Sequence, residues 1–312
     1  MNTKPKVFLT GGRGMVGRNI LEHPSATQFS FFAPTSSELD LRDFARVEDY
    51  VATYSPDFVI HAAGLVGGIQ ANMARPVDFL IENLDLGRNV IMASRNAGVK
   101  KLLNLSSSCM YPRNATNPLT EDLILKGELE STNEGYALAK IVAMRLCEYL
   151  HKEDPTLMYK TFIPCNLYGR FDKFDPKHSH LIPAIIHKVY LAKIAGEKTV
   201  EIWGDGTARR EFMYAGDLAD VVLRALGDFE VAPDLMNVGL GFDYSINEYY
   251  EAVANVVGWS GNFVHDLSKP VGMKQKLVSV DRQKKWGWSV ATSLEEGISK
   301  AYDCYLKVSN EF

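Results

Sequence analysis

Cysteine is scarce in this chain: four among 312 residues, Cys109, Cys147, Cys165 and Cys304, with no C-x-x-C pair and no metal-ligand spacing. That argues against a disulfide framework and against a metal site, and it fits free thiols in a reducing compartment. Charge of one sign is lacking as well. Lys and Arg number 34 against 38 Asp and Glu, a net of −4, which gives no electrostatic case for nucleic acid or an anionic membrane. No apolar run approaches the roughly eighteen residues of a bilayer span. Met1 to Pro5 runs into a strand without the apolar stretch of a signal peptide, so a cytoplasmic protein is expected. No repeat, low-complexity stretch or clear flexible linker is present. What remains is a chain that is 46% hydrophobic, enough to bury a full core.

Strand and helix patterns alternate along the first half. Lys6–Thr10 reads as an apolar strand ending in glycines, with a helix from about Met15. Phe29–Ala33 reads as a second strand, and Asp57–Gly64 as a third of the doubly buried kind found in parallel sheets. Pro76 opens a long helix to Asn96, with Phe79, Leu80, Leu84, Val90 and Ile91 on a mostly apolar face. Lys101–Leu105 and Met158–Pro164 are further strands, and Asn133–His151 is a helix. The alternation predicts an α/β fold with a right-handed, doubly wound parallel sheet of Rossmann type. Beyond Pro164 the strands shorten and the rhythm breaks. We therefore expect a dinucleotide-binding domain over residues 1–164 and a smaller, mainly substrate-binding lobe over 165–312, with some segments returning to the first.

Three local motifs carry chemistry. Gly11, Gly14 and Gly17 form G-x-x-G-x-x-G between the first strand and helix, also containing Arg13, Met15 and Val16. Glycines there let the backbone approach a pyrophosphate at a helix N-terminus. At the end of the second strand, Ala33-Pro34-Thr35-Ser36-Ser37 has no carboxylate before Glu38. An acid would repel a 2′-phosphate whereas hydroxyls and Arg13 can hold one, so NADPH is favoured, with Glu38 the competing consideration. Tyr136 and Lys140 are one helical turn apart and point into one site. A lysine ammonium beside a tyrosine is expected to lower its pKa, and Ser107 would bond the reacting oxygen.

With these in place, the chain resembles the extended short-chain dehydrogenase/reductases, and within them the GDP-L-fucose synthases. The resemblance runs nearly end to end. It is carried by Gly11–Gly17, Val66-Gly67-Gly68-Ile69, Ser106-Ser107-Ser108-Cys109-Met110-Tyr111-Pro112, Tyr136–Lys140, Asn166-Leu167-Tyr168-Gly169, Ser179-His180-Leu181-Ile182-Pro183-Ala184, Trp203–Thr207, Arg210-Glu211-Phe212 and Lys276-Leu277. It implies an NADPH-dependent enzyme that inverts C3 and C5 of GDP-4-keto-6-deoxy-D-mannose and then reduces C4. By the same resemblance Cys109 is the base and His180 the acid of the inversion, with Ser107, Tyr136 and Lys140 at the ketone. Cofactor contacts are expected at Gly11, Arg13–Gly17, Thr35, Ser36, Asp40, Leu41, Ala62, Ala63, Gly64, Tyr136, Lys140, Pro164, Asn166, Leu167 and His180. Substrate contacts are expected at Ser108, Asn166, Trp203, Arg210 and Lys276, and no metal is implied. A homodimer through Pro76–Asn96 and Asn133–His151 is also implied.

Some features depart from that pattern. The second strand ends without the arginine the resemblance leads one to expect. Arg170–His178 does not match residue by residue, so a related GDP-sugar, such as a 3,6-dideoxyhexose of the colitose route or a 6-deoxyheptose, stays open, as does reduction without inversion. His178 rivals His180. Arg209 rivals Arg210. A 4-epimerase would need neither Cys109 nor His180, a 4,6-dehydratase normally has Asp-Glu where Ser108-Cys109 stands, and a non-catalytic NADP-binding scaffold would not need the Tyr/Lys pair.

Overall fold

The computed structural model describes residues 3–175, 179–269 and 273–309. In the first half, β1 (Lys6–Thr10), β2 (Ser30–Phe32), β3 (Phe58–His61), β4 (Lys101–Leu105) and β5 (Met158–Pro164) alternate with α1 (Met15–Leu21), α2 (Phe44–Tyr54), α3 (Ile69–Ala74), α4 (Pro76–Asn96) and α5 (Glu134–Glu153). The second half carries β6 (Asn166–Tyr168), α6 (Leu181–Ala195), β7 (Thr199–Trp203), β8 (Arg209–Arg210), β9 (Phe212–Tyr214), α7 (Ala215–Gly227) and β10 (Leu235–Val238). It closes with β11 (Tyr244–Ser245), α8 (Ile246–Val257), β12 (Asn262–Asp266), β13 (Gln275–Lys276), α9 (Asp281–Lys285) and α10 (Leu294–Ser309).

The central sheet has six strands in the order β10-β5-β4-β3-β1-β2, all paired in parallel. The doubly wound α/β expectation holds. Every residue of β3 is buried, as it must be with helices on both faces of the sheet. One face packs with α2, α4 and α5 around Val47, Val90, Ile91 and Leu102. The other packs with α1 and α7 around Ile20, Leu218, Val221 and Val222. A separate core joins α6, α8 and α10 through Ile182, Ile186, Tyr249, Val253 and Ile298. Among the described residues no helix is long and apolar enough to cross a membrane.

The chain winds from β1 out to β2 and then returns past β1 to β3, so the crossovers diverge between β1 and β3. Crevices form at the C-terminal ends of strands at such a switch point. β3 is shorter than its apolar run because Ala62 and Ala63 leave the ladder. Their backbone N–H groups instead donate to Thr10 Oγ1, both at 3.1 Å. β10 is reached through α7 and adds to the far edge of the sheet beside β5. Glu211, between β8 and β9, is buried and accepts from the backbone N–H of Leu240 at 2.6 Å, Gly241 at 3.0 Å and Val278 at 2.9 Å. Those bonds tie the end of β10 to the segment after β13, and burial nonetheless pushes its carboxyl up to about 7.

Candidate active site

A cavity of about 1150 Å³ opens over the C-terminal ends of β1, β3, β4 and β5. Its near wall is the turn after β1. Gly11 has φ +74, and a Cβ there would meet the Ala62 and Ala63 backbone at 2.9 Å. At Gly17 a Cβ would sit 2.2 Å from the Gly11 carbonyl oxygen, so α1 can start this close to β1 only without a side chain. Gly14 caps α1 with no side-chain bond, which leaves backbone N–H groups for an anion. The turn is therefore the shape a dinucleotide pyrophosphate requires.

Thr35, Ser36, Ser37, Asp40, Leu41, Arg13 and Arg42 line the end of the cavity beyond β2. Glu38 does not. Its carboxylate folds back to accept from Thr35 N at 2.7 Å, and that bond holds its pKa below the usual range. Asp40 is gripped by Arg42, whose Nε and Nη2 donate at 2.9 and 2.8 Å, and sits at about 2 as a result. The far wall includes Pro164, Asn166 and Leu167.

The centre of the cavity brings together Ser107, Cys109, Tyr136, Lys140, His180 and Lys276. β4 delivers Ser107, which caps a short 3₁₀ turn, Ser108–Met110, that carries Cys109. The i, i+4 spacing on α5 sets Lys140 Nζ 5.7 Å from the Tyr136 ring, while the ammonium donates to Leu105 O at 3.2 Å. Burial lowers the lysine to about 8.

Tyr136 differs from the electrostatic expectation. Burial pushes its phenol well above the usual range, Cys109 adds to this, and hydrogen bonding with Ser107 opposes it. Desolvation is the largest influence because the phenol is enclosed. Burial also raises Cys109, with Lys276 the largest opposing influence, followed by Ser107 and Lys140. His180 stands at the N-cap of α6, and burial, with Lys173 adding to it, lowers its pKa and so disfavours the charged imidazole.

The candidate substrate residues divide. β8 and β13 pair in parallel with Arg210 opposite Lys276, which joins two cations 66 positions apart in the chain. Arg209 is engaged instead with Asp243, Nε to Oδ1 at 2.6 Å. Arg210 is not among the residues that line the cavity, and its Nη1 donates to Arg209 O at 2.8 Å. Ser108 is buried beside the cavity and is not among its lining residues. Trp203 is not brought in either. At the end of β7 it is 53% exposed, with its indole N–H donating to Glu201 at 3.0 Å.

Sequence reasoning passed over other lining residues, among them Asn133, Phe171, Asp172 and Lys173. The last three belong to the stretch without a residue-by-residue match. Phe171 takes φ +67 with the Arg18 guanidinium 3.6 Å from its ring centroid. Asp172 follows it at the cavity wall, where burial raises it to about 7. His178, the rival to His180, lies outside the described residues.

Comparison with known proteins places the chain in a family. Residues 7–239 match the family described as NAD dependent epimerase/dehydratase. The chain is 52% identical over 305 residues to a GDP-L-colitose synthase of Yersinia pseudotuberculosis, covering 98% of this chain and 99% of that one. It is 51% identical over 306 residues to a GDP-L-fucose synthase of Azorhizobium caulinodans, covering 98% of each. Among solved structures, a GDP-mannoheptose C4 reductase from Campylobacter jejuni with NADP bound superposes with a TM-score of 0.88 at 33% identity, over 98% of this chain and 99% of that one.

Proposed function

Because the chain belongs to the NAD-dependent epimerase/dehydratase family, we infer that it is an NADPH-dependent epimerase/reductase of a GDP-4-keto-6-deoxyhexose, with GDP-L-fucose as product. The observation that carries this is the meeting, in one cavity, of a ketone-reducing set (Ser107, Tyr136, Lys140) with a base and an acid for inversion (Cys109, His180). The full-length relatives named for GDP-L-fucose and GDP-L-colitose synthesis supply the substrate class.

The glycine turn, Arg13, Thr35, Ser36, Asp40, Leu41, Ala62–Gly64 and Pro164–Leu167 hold NADPH, which when bound supplies the hydride for C4. Protons on the carbons flanking a ketone are acidic because the enolate places charge on the oxygen, and Ser107 and Tyr136 are placed to stabilise that charge. Cys109 removes the proton from one face and His180 returns one to the other. Burial raises Cys109 and lowers His180 in the ligand-free protein, Lys276 favours the thiolate, and the anionic diphosphate of a bound GDP-sugar favours the charged imidazole. Tyr136 then donates its proton to the C4 oxygen. Lys276, with Arg210 beside it, is placed for the diphosphate. The test is to incubate the protein with GDP-4-keto-6-deoxy-D-mannose in deuterated water, with and without NADPH, and follow the sugar by NMR. Deuterium at C3 and C5, then GDP-L-fucose once NADPH is added, supports the reading. Reduction without exchange makes the enzyme a simple ketoreductase.

The 52% identity to a GDP-L-colitose synthase favours a second reading, in which the substrate lacks the C3 hydroxyl. C3 is then no stereocentre and only C5 is inverted.

Two further outcomes are expected. Arg13→Ala should cost about tenfold to a hundredfold in preference for NADPH over NADH, the scale of a lost charge-assisted contact, read as the ratio of kcat/KM with the two cofactors. For pH, Lys140 acts as the ammonium, and its proton is lost as pH rises through about 8. The kcat/KM of reduction should therefore hold below that pH and fall above it, since this parameter reports the free enzyme. Tyr136, pushed higher by burial, stays protonated across that range. A profile flat beyond pH 9.5 overturns the assignment.

We also propose a cytoplasmic homodimer. Exposed Val77, Ile81, Leu138, Val142 and Tyr149 lie along α4 and α5, an apolar face suited to a second copy.

A further inference from the structure

Strands β8 and β13 sort their charges onto two faces. They run in parallel with Arg209 opposite Gln275 and Arg210 opposite Lys276, and successive side chains on a strand point to opposite faces. On one face Asp243 answers both residues: Arg209 Nε donates to its Oδ1 and Gln275 Nε2 to its Oδ2, each at 2.6 Å. On the other face, among the described residues, neither Arg210 nor Lys276 has an ion pair, while Arg209 has two. Lys276 is half-buried and lines the cavity, as Cys109 does. Its backbone is fastened to the loop that follows the Cys109 turn. Asn117 Oδ1 accepts from Leu277 N at 2.8 Å, Asn117 Nδ2 lies 3.5 Å from Gln275 O, and Leu119 N donates to Leu277 O at 2.8 Å.

Around the thiol the cavity sets Ser107 from the end of β4, Tyr136 and Lys140 from α5, His180 from the start of α6 and Lys276 from β13. The Lys140 ammonium is already engaged, donating to Leu105 O at 3.2 Å beside the Tyr136 ring. Burial disfavours charge on Tyr136 and on His180. The groups nearest Lys276 besides Cys109 are Arg210, Cys165 and Glu130. We propose that Lys276 is a positioning residue for the inversion, its ammonium standing against Cys109 so that the sulfur is held as the thiolate that takes the proton from carbon. The thiol's own proton leaves to solvent as the ion pair forms, and the electron pair released from the C–H bond passes to the ketone oxygen. A thiolate beside a cation is the reactive form of cysteine, and Lys276 is the largest influence set against burial of that charge. The role goes beyond the diphosphate contact above and rests on the reading of Cys109 as the base.

The experiment reads the thiol itself, on the NADP-loaded enzyme without GDP-sugar. Alkylation of Cys109 by iodoacetamide is followed by peptide mass spectrometry as a function of pH. Lys276→Met and Lys276→Gln remove the charge, one keeping the length and the other a polar tip, and Lys276→Arg restores it. Both charge-removing variants should move the midpoint up by about one to two pH units, the scale of a lost opposite charge, and Lys276→Arg should bring it back. Arg210→Met, which removes the other cation of that face, should leave the midpoint in place. A variant that unfolds alkylates faster, because the thiol loses its cover, so it is told apart from the expected slowing and the other charge-removing variant decides. An unmoved midpoint without the Lys276 charge, or an equal shift from Arg210→Met, overturns the proposal, and Lys276 then serves the diphosphate alone. A shifted midpoint in a wild-type enzyme that exchanges no deuterium at C3 or C5 overturns the parent reading, and this one with it.

Discussion

Tyr136→Phe should reduce ketone reduction by about 10²- to 10⁴-fold, the range ascribed to a positioned general acid, while NADPH binds as before. The variant removes one oxygen and keeps the ring, so packing on the Lys140 side is retained. Its effect is large because, among the described residues, no other phenol lines the cavity. Ser107 bonds the same oxygen, but its side chain is also shared with Cys109, and a serine hydroxyl has no neighbouring cation comparable to Lys140 above the Tyr136 ring. Stopped-flow absorbance of NADPH with the keto sugar reads the loss directly, and cofactor fluorescence checks the binding. Wild-type consumption of NADPH in this variant would require another proton donor.

Cys109→Ser should suppress proton exchange at C3 and C5 by a similar factor without touching reduction of a sugar already inverted. The structure makes the reason electrostatic. Burial disfavours the thiolate, and Lys276, Ser107 and Lys140 pull the other way. A serine hydroxyl in the same surroundings begins from a far higher pKa and those influences do not bring it into range. Deuterium incorporation in the presence of NADP, followed by NMR, separates this from a binding defect, because NADPH affinity should stay within about twofold. Unchanged exchange would point to a different base and leave Cys109 a small buried apolar residue.

How much of this was legible in the sequence depends on distance along the chain. β1, β4, β5 and α4 could be read at their observed bounds because an apolar run or a Pro at the first helical turn is a local signal. Gly11–Gly17 and Tyr136/Lys140 were legible for the same reason. α2 was passed over, although Asp43 caps it by accepting from Arg46 N at 3.2 Å. The juxtaposition of Arg210 and Lys276 depends on two-residue strands pairing across the fold, and no local pattern announces such strands. The direction of the Tyr136 shift needed burial, which spacing along a helix does not reveal. The position of Trp203 was inferred by resemblance, and the described residues leave it outside the cavity. The arginine missing after β2 has a physical answer: Glu38 is turned onto its own loop, and Arg13 and Arg42 face the cavity instead.

The strand β10 gives the molecule an evolutionary constraint. Since it is sequence-distant from the strand it borders, and arrives only after the chain has built part of the other core, no single crossover in a gene could exchange one core and keep the other intact. A recombinant joined after β5 would set that strand beside a β10 from another parent, and a mismatched pair leaves backbone groups bare, the kind of edge that invites aggregation. New nucleotide-sugar preferences on this scaffold are therefore expected to arise by point substitutions along the cavity wall, at positions such as Phe171, Asp172 and Asn133, rather than by exchange of whole modules.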